Sequence, residues 1–220
     1  MIEFIFNKWL NKEQQYDEDV AVASNPANVE ISILLMARDK WWLSLLIILS
    51  FLAVTVFIFI YKNGNIKEYY YCYLPTIIFY SWFSYYFSEK AEKFKKGNAN
   101  PGIVISENPT QIAVSVELAT QGGHYPAFKI IQDNSLKNAR IGDKVSTVAD
   151  YNGWVDNLHW NDVNPETVLS LSKNPEDEQR IMGTFKQEFW DFIEENKHHI
   201  PKDFETNGLY KIKSDFSDWD

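Results

Sequence analysis

"YCYLPTIIFYSWFSYYFSEKAEKFKKGNANPGIVIS" (Tyr71–Ser106) passes through three chemical environments in 36 residues. As far as Ser88 it is uncharged and aromatic, the composition of a helix in lipid. Lys90, Lys93, Lys95 and Lys96 then crowd into one short basic flank. Gly97, Asn100, Pro101 and Gly102 interrupt any helix, and "IVIS" begins a series of short β-like runs. Span, basic flank, breaker and strand in that order predict an α+β membrane protein. A two-helix transmembrane hairpin is followed by a small β-barrel-like soluble domain with a C-terminal helix.

A second uncharged run precedes the first. From Trp41 to Tyr61 the chain reads "WWLSLLIILSFLAVTVFIFIY". A bilayer core takes roughly 20 apolar helical residues at about 1.5 Å of rise each. The expected spans are 41–61 and 69–88, and the seven-residue connector Lys62–Glu68 ("KNGNIKE") forces them antiparallel. Trp41, Trp42 and Tyr61 bracket the first. Tyr69, Tyr70, Tyr71 and Tyr73 at one end, and Tyr85 and Tyr86 at the other, bracket the second, where amphipathic rings prefer the headgroup level. Tyr80 is mid-span and is expected to face a partner that satisfies its hydroxyl. A buried helical hairpin in a soluble protein is the alternative. Neither span carries an ionisable Asp, Glu, Lys, Arg or His, so they read as an anchor rather than an ion path.

Arg38, Lys40, Lys90, Lys93, Lys95 and Lys96 flank the outer ends of the pair, against Lys62 and Lys67 in the connector. By the positive-inside rule both termini are cytoplasmic, which makes the chain a multi-pass inner-membrane protein. Lys90, Lys93, Lys95 and Lys96 are a topology signal and also candidate contacts to lipid headgroups. The net charge of −9 lies entirely in residues 101–220. That excludes general nucleic-acid binding, which needs a basic face. The single Cys72 excludes an internal disulfide and a cysteine-based metal cluster.

Residues 1–40 form an N-terminal segment. "MIEFIFNKWL" has an apolar helical side that suits the membrane interface or a protein surface. Asn25 and Pro26 suggest a cap and first residue of a helix running into the first span. Residues 89–100 read as a basic tether. In 101–220, "GIVIS" (102–106), "QIAVSVEL" (111–118), "AFKII" (127–131), "NARIGDKVSTVADY" (138–151, with a Gly-Asp centre), "TVLSLS" (167–172) and "GLYKIK" (208–213) read as strands, and their size suits a small closed barrel. Residues 175–199 read as one long helix, with Pro175 and acidic Glu176, Asp177 and Glu178 at its start and Lys197, His198 and His199 at its end. A fragment 98–220 is expected to fold alone.

"NPGIVISENPTQIAVSVELAT" (100–120), "YPAFKII" (125–131) and "ARIGDKVSTVADYNG" (139–153) together resemble an uncharacterised bacterial membrane-protein family, known only as a domain of unknown function. The resemblance covers roughly residues 100–172, behind the hairpin. It implies a two-helix membrane hairpin, a small cytoplasmic β-barrel and an inner-membrane address. It implies no catalytic residues.

The segment 150–166 ("DYNGWVDNLHWNDVNPE") reads as a loop with Asp156, His159 and Asp162 at three-residue intervals. Such a set offers a divalent metal site or proton transfer. Loop spacing does not set geometry, so the plainer reading is a polar loop capped by Trp154 and Trp160. No phosphate loop, Gly-x-Ser-x-Gly or His-Glu-x-x-His pattern occurs. The expected function is a membrane-anchored cytoplasmic binding or scaffold module. It needs no cofactor, it touches the lipid bilayer, and its partner is a protein or a second copy of itself. Trp154, Trp160, Phe189 and Trp190 are the candidate interaction residues, because Trp and other aromatics dominate binding hot spots. The alternatives are a membrane-associated metal-dependent enzyme built on 150–166, and a small membrane immunity or defence protein.

Overall fold

The structure is a computed structural model that describes residues 23–60, 73–120, 123–136, 138–155, 159–213 and 217–219. The segment "MIEFIFNKWL" and the connector Lys62–Glu68 lie outside the described residues. Helix α1 is Ile33–Asp39, α2 is Trp41–Ile60 and α3 is Leu74–Lys96. The strands are β1 (Asn98–Glu107), β2 (Thr110–Glu117), β3 (Pro126–Gln132), β4 (Lys144–Val155) and β5 (His159–Thr167). Three short helices follow, α4 (Val168–Leu171), α5 (Glu176–Met182) and α6 (Gln187–Asn196), and then strand β6 (Leu209–Lys211).

Among the described residues one helix, Trp41–Phe59, is long and apolar enough to cross a membrane, with a mean hydropathy of 2.7. Its apolar side chains are mostly exposed, including Ile48, Leu49, Phe51 and Phe59. Helix α3 does not reach that measure, because serine, tyrosine and a charged C-terminal half dilute it. The two helices nevertheless pack against each other. Trp42 and Trp82 meet edge to face at 5.9 Å, and Thr76 Oγ1 donates to Ser50 Oγ at 3.1 Å. Tyr80 is 63% exposed.

Within the stretch 89–100 read as a basic tether, residues 89–96 continue α3 as helix, and β1 starts two residues later. Gly97 makes that junction. A Cβ there would sit 2.4 Å from Lys93 O and 2.8 Å from Ala149 O, a space no other residue fits.

The six strands form one antiparallel sheet in the order β5-β4-β1-β2-β3-β6. It curls into a half-barrel rather than the expected closed barrel. The strand β5 comes round towards β2 and β3 but, among the described residues, makes one backbone bridge there, Ala119 to His159, with Trp160 N donating to Leu118 O at 2.8 Å. Alternation along the strands builds two cores. Val104, Ile112, Val114, Ala127, Val145 and Ala149 fill the concave side. Ile103, Ala113, Phe128, Ile130 and Val148 fill the convex side, against Ile181, Trp190 and Ile193 of the helices. Tyr151 reaches into the concave side, where its hydroxyl donates to Asn100 Oδ1 at 3.4 Å and burial pushes its phenol up.

Four local expectations are corrected. No helix begins at Pro26: that residue bridges Asn98, and Ala27, Val29 and Ile31 alternate inward as extended chain, bonded to the end of α3 through Val29 N to Phe94 O. The period-2 burial of β-branched residues outweighs the Asn-Pro cap signal, and Ser32 caps α1 instead. Residues 168–171 of the expected strand form α4, because Val168 and Leu171 both need burial and a three-residue spacing puts them on one side of a helical turn. The expected loop 150–166 is largely the paired β4–β5 ladder. The expected helix 175–199 breaks after Met182. Gly183 ends α5, Thr184 Oγ1 takes the carbonyl of Ile181, and α6 restarts at Gln187, so that Ile181 and Ile193 both reach one core.

Candidate functional site: a charged cleft at the open seam

The half-barrel leaves a gap between the strand β5 and β3, and two side-chain pairs staple it. Lys129, on β3 and 5% exposed, gives its ammonium to Asp162 Oδ1 on β5 at 2.6 Å. Further along, Thr167 Oγ1 donates to Asp133 Oδ2. Between this seam and the helices α1 and α4 lies a cleft of about 590 Å³. Its wall includes Arg38, Asp133, Glu166 and Asn207. A second hollow of about 370 Å³ adjoins it through Ile131, Pro165, Glu166 and Asn207, and is walled by Tyr86, Lys90, Lys93 and Asp150.

Glu166 stands at the centre of the charge pattern. Lys93 lies 2.6 Å from its Oε1, and Lys90 donates to the same oxygen. Burial acts to raise the Glu166 carboxyl, but the Lys93 and Lys90 ammoniums outweigh it and hold the group below its usual value. Lys93 Nζ also lies 2.9 Å from Asp150 Oδ1. That oxygen accepts no hydrogen bond of good geometry among the described residues, so the contact is charge attraction without a directed bond. The basic residues read as lipid contacts therefore divide. Lys90 and Lys93 tie α3 to the sheet, Lys96 pairs with Glu92 on its own helix, and Lys95 is exposed.

The proposed metal set does not assemble among the described residues. Asp156 lies outside them. Asp162 is committed to Lys129 and to the backbone N–H of Val163 at 2.8 Å. His159 donates from Nδ1 to Trp160 O at 3.0 Å, and its ring packs on Tyr125 and Trp219, each at 4.9 Å. No group of three or more acidic, histidine or cysteine side chains able to hold a metal ion occurs among the described residues.

Two of the aromatic candidates are core. Trp160 is 7% exposed and belongs to the concave core. Trp190 is 6% exposed, with Phe185 edge-on at 5.7 Å and Lys144 Nζ 4.6 Å above its ring. Phe189 is 45% exposed, and the backbone of Trp154 lies in β4 opposite Trp160. Sequence reasoning missed the cleft, because its walls come from α1, α3, β3, β5 and the turn before β6. Its one legible sign was Lys129, a lone charge inside the apolar run "AFKII".

No family model matches the chain, and no curated protein matches it. Among solved structures it is similar to the "Crystal structure of a putative membrane protein from Corynebacterium diphtheriae", at 16% identity and a TM-score of 0.43. The likeness covers 52% of this chain and 99% of that one. It is a partial likeness of chain path and carries no function across.

Proposed function

We propose that this chain is a membrane-anchored binding module whose half-barrel is held rigidly at the cytoplasmic face of the inner membrane. The observation that carries the reading is α2, an uncharged helix of 20 residues whose large apolar side chains are exposed. A helix apolar all round and unburied suits lipid. In this reading the first part of α3, with exposed Leu74, Ile77, Ile78 and Trp82, is the returning span, and both termini are cytoplasmic. Arg38, Lys40 and the lysines after the second span support that orientation.

The module binds a protein or a second copy of itself and performs no chemistry. Tyr80 supports self-association, since a mid-span hydroxyl exposed on α3 gains a partner when two copies meet. Phe189 and the Trp154 end of the β4–β5 hairpin are the proposed partner contacts.

Alkaline carbonate extraction of membranes holding the full chain, with reporters fused at position 64 and at the C-terminus, tests the anchor and its orientation. The expected outcome is retention in the membrane pellet, with the C-terminal reporter active only when cytoplasmic. Release into the supernatant removes the anchor reading. An exported C-terminus reverses the orientation.

A further inference from the structure

We propose that α1, together with the turn α4, seats the half-barrel on the bilayer surface, giving a second, shallow membrane contact beside the spanning helix. Leu34 is 81% exposed and Ile33 57% exposed, on a helix whose opposite side buries Met36 completely. Leu169 is 42% exposed on α4, to which the start of α1 is hydrogen-bonded through Ser32 N and Leu171 O at 2.8 Å.

The bilayer is the occupant because this patch is continuous with α2. Only Lys40 separates α1 from Trp41; Lys40 N bonds Met36 O and Ser44 N bonds Lys40 O, but the Lys40 φ of −105° and ψ of 45° leave the helical region, so α1 turns off the line of α2 at the end of the span. An interfacial helix lies in the headgroup plane with its apolar side buried by roughly 5–10 Å, the placement such a turn at the span end permits. Charge agrees, since Arg38 and Lys40 lie within the same two turns and α1 holds one acidic residue, Asp39. A basic rim around an apolar patch suits anionic headgroups.

The inference rests on the anchoring reading, and the test separates the two. The full chain with Cys72→Ser is labelled with an environment-sensitive fluorophore at one of four exposed positions: Leu34→Cys, Leu169→Cys, Ile48→Cys or Ile141→Cys. Each is placed in vesicles of phosphatidylcholine and phosphatidylglycerol that carry bromine near the headgroup or deep in the acyl chain. Position 48 reports the span. Position 141 is the control: it is 65% exposed and adjoins Glu107, at the end of β1 away from α3.

The expected result is loss of fluorescence at 34 and 169 with the shallow quencher, loss at 48 with the deep quencher, and little loss at 141. Quenching at 34 and 169 no stronger than at 141, with 48 still quenched, overturns the seat and leaves the anchor. An unquenched position 48 overturns the anchor itself. If 34 is shielded from aqueous iodide in detergent, and increasingly so with protein concentration, a second copy covers the patch and the bilayer assignment is wrong.

Discussion

Replacing Glu166 with glutamine leaves two ammoniums facing a neutral amide. Lys93 is 8% exposed on its side chain and cannot turn to water without moving α3. Asp150 Oδ1, 2.9 Å from Lys93 Nζ, still faces that ammonium, so the expected cost is about 2 kcal/mol, less than fully stripping the partner from a buried charge, and chemical denaturation of the detergent-solubilised chain measures it. The pH dependence has a definite sign. Because the folded Glu166 carboxyl is held below the usual 4.5, its contribution is fully present above that value. It is lost as pH falls through the lower folded value. Glu178 runs the other way. Burial raises it above 4.5 despite hydrogen bonds from Ser146 N at 2.7 Å and Ser146 Oγ at 2.6 Å. Between 4.5 and that raised value the native state binds more protons than the unfolded chain, so stability falls as pH rises through the window. Glu178→Gln removes the buried charge; its Oε1 still accepts from Ser146 N, and its Nε2 donates to Ser146 Oγ, whose hydroxyl turns to accept. Its stability is expected to be flat through that window and no lower than wild type above it. Thermal unfolding from pH 4 to 8 checks this.

At the scale of elements, two glycines look alike in the sequence and differ in what surrounds them. Gly97→Ala drives a methyl into two backbone carbonyls at the α3–β1 junction, where nothing flexible can yield. The expected cost is about 3 kcal/mol, at the upper end of overpacking. Gly183→Ala meets only ordinary contacts at 3.4 Å, and its φ of −68° suits any residue. It is expected to leave stability unchanged or raise it by about 0.5 kcal/mol, through the reduced freedom of the unfolded chain. Trp190 belongs to the same contrast. Its ring lies between Phe185 and Lys144 in the convex core, so Trp190→Ala costs about 3–5 kcal/mol and measures stability rather than docking. Phe189→Ala, one residue away and half exposed, is expected to leave the melting temperature nearly unchanged. It therefore reports association cleanly.

The whole molecule is less divisible than its order of segments implies. Ala27, Val29, Ile31, Met36 and Phe94 are all buried in the convex core, with Met36 and Phe94 fully so. A fragment 98–220 lacks every one of them. It is expected to expose apolar surface, to bind a hydrophobic dye and to melt without cooperativity, despite its net charge. A sharp, dye-free transition in that fragment would show that the segment 25–37 and the end of α3 are accessories to the fold. The same packing couples helix to sheet: α3 runs unbroken to Lys96 and is tied to β4 and β5 through Lys93, Asp150 and Glu166.

The sequence by itself determined what depends on local composition. The uncharged runs mark out α2 and most of α3, short apolar runs between turn residues mark five of the six strands, and the acidic first turn of α5 announces a helix start. These are properties of neighbours in the chain, and a window of residues contains them. Four features belong to the tertiary structure alone: the half-barrel in place of a closed one, the return of residues 25–31 onto the sheet, the split between α5 and α6, and the seam cleft. Each depends on which distant groups meet. Lys129 could not be matched to Asp162, nor Lys93 to Glu166, until curvature of the sheet brought those strands and α3 together. Asp162 shows the same thing within the sequence set 156, 159 and 162: its carboxylate is taken by Lys129 of another strand, while the His159 ring packs on Tyr125 and Trp219.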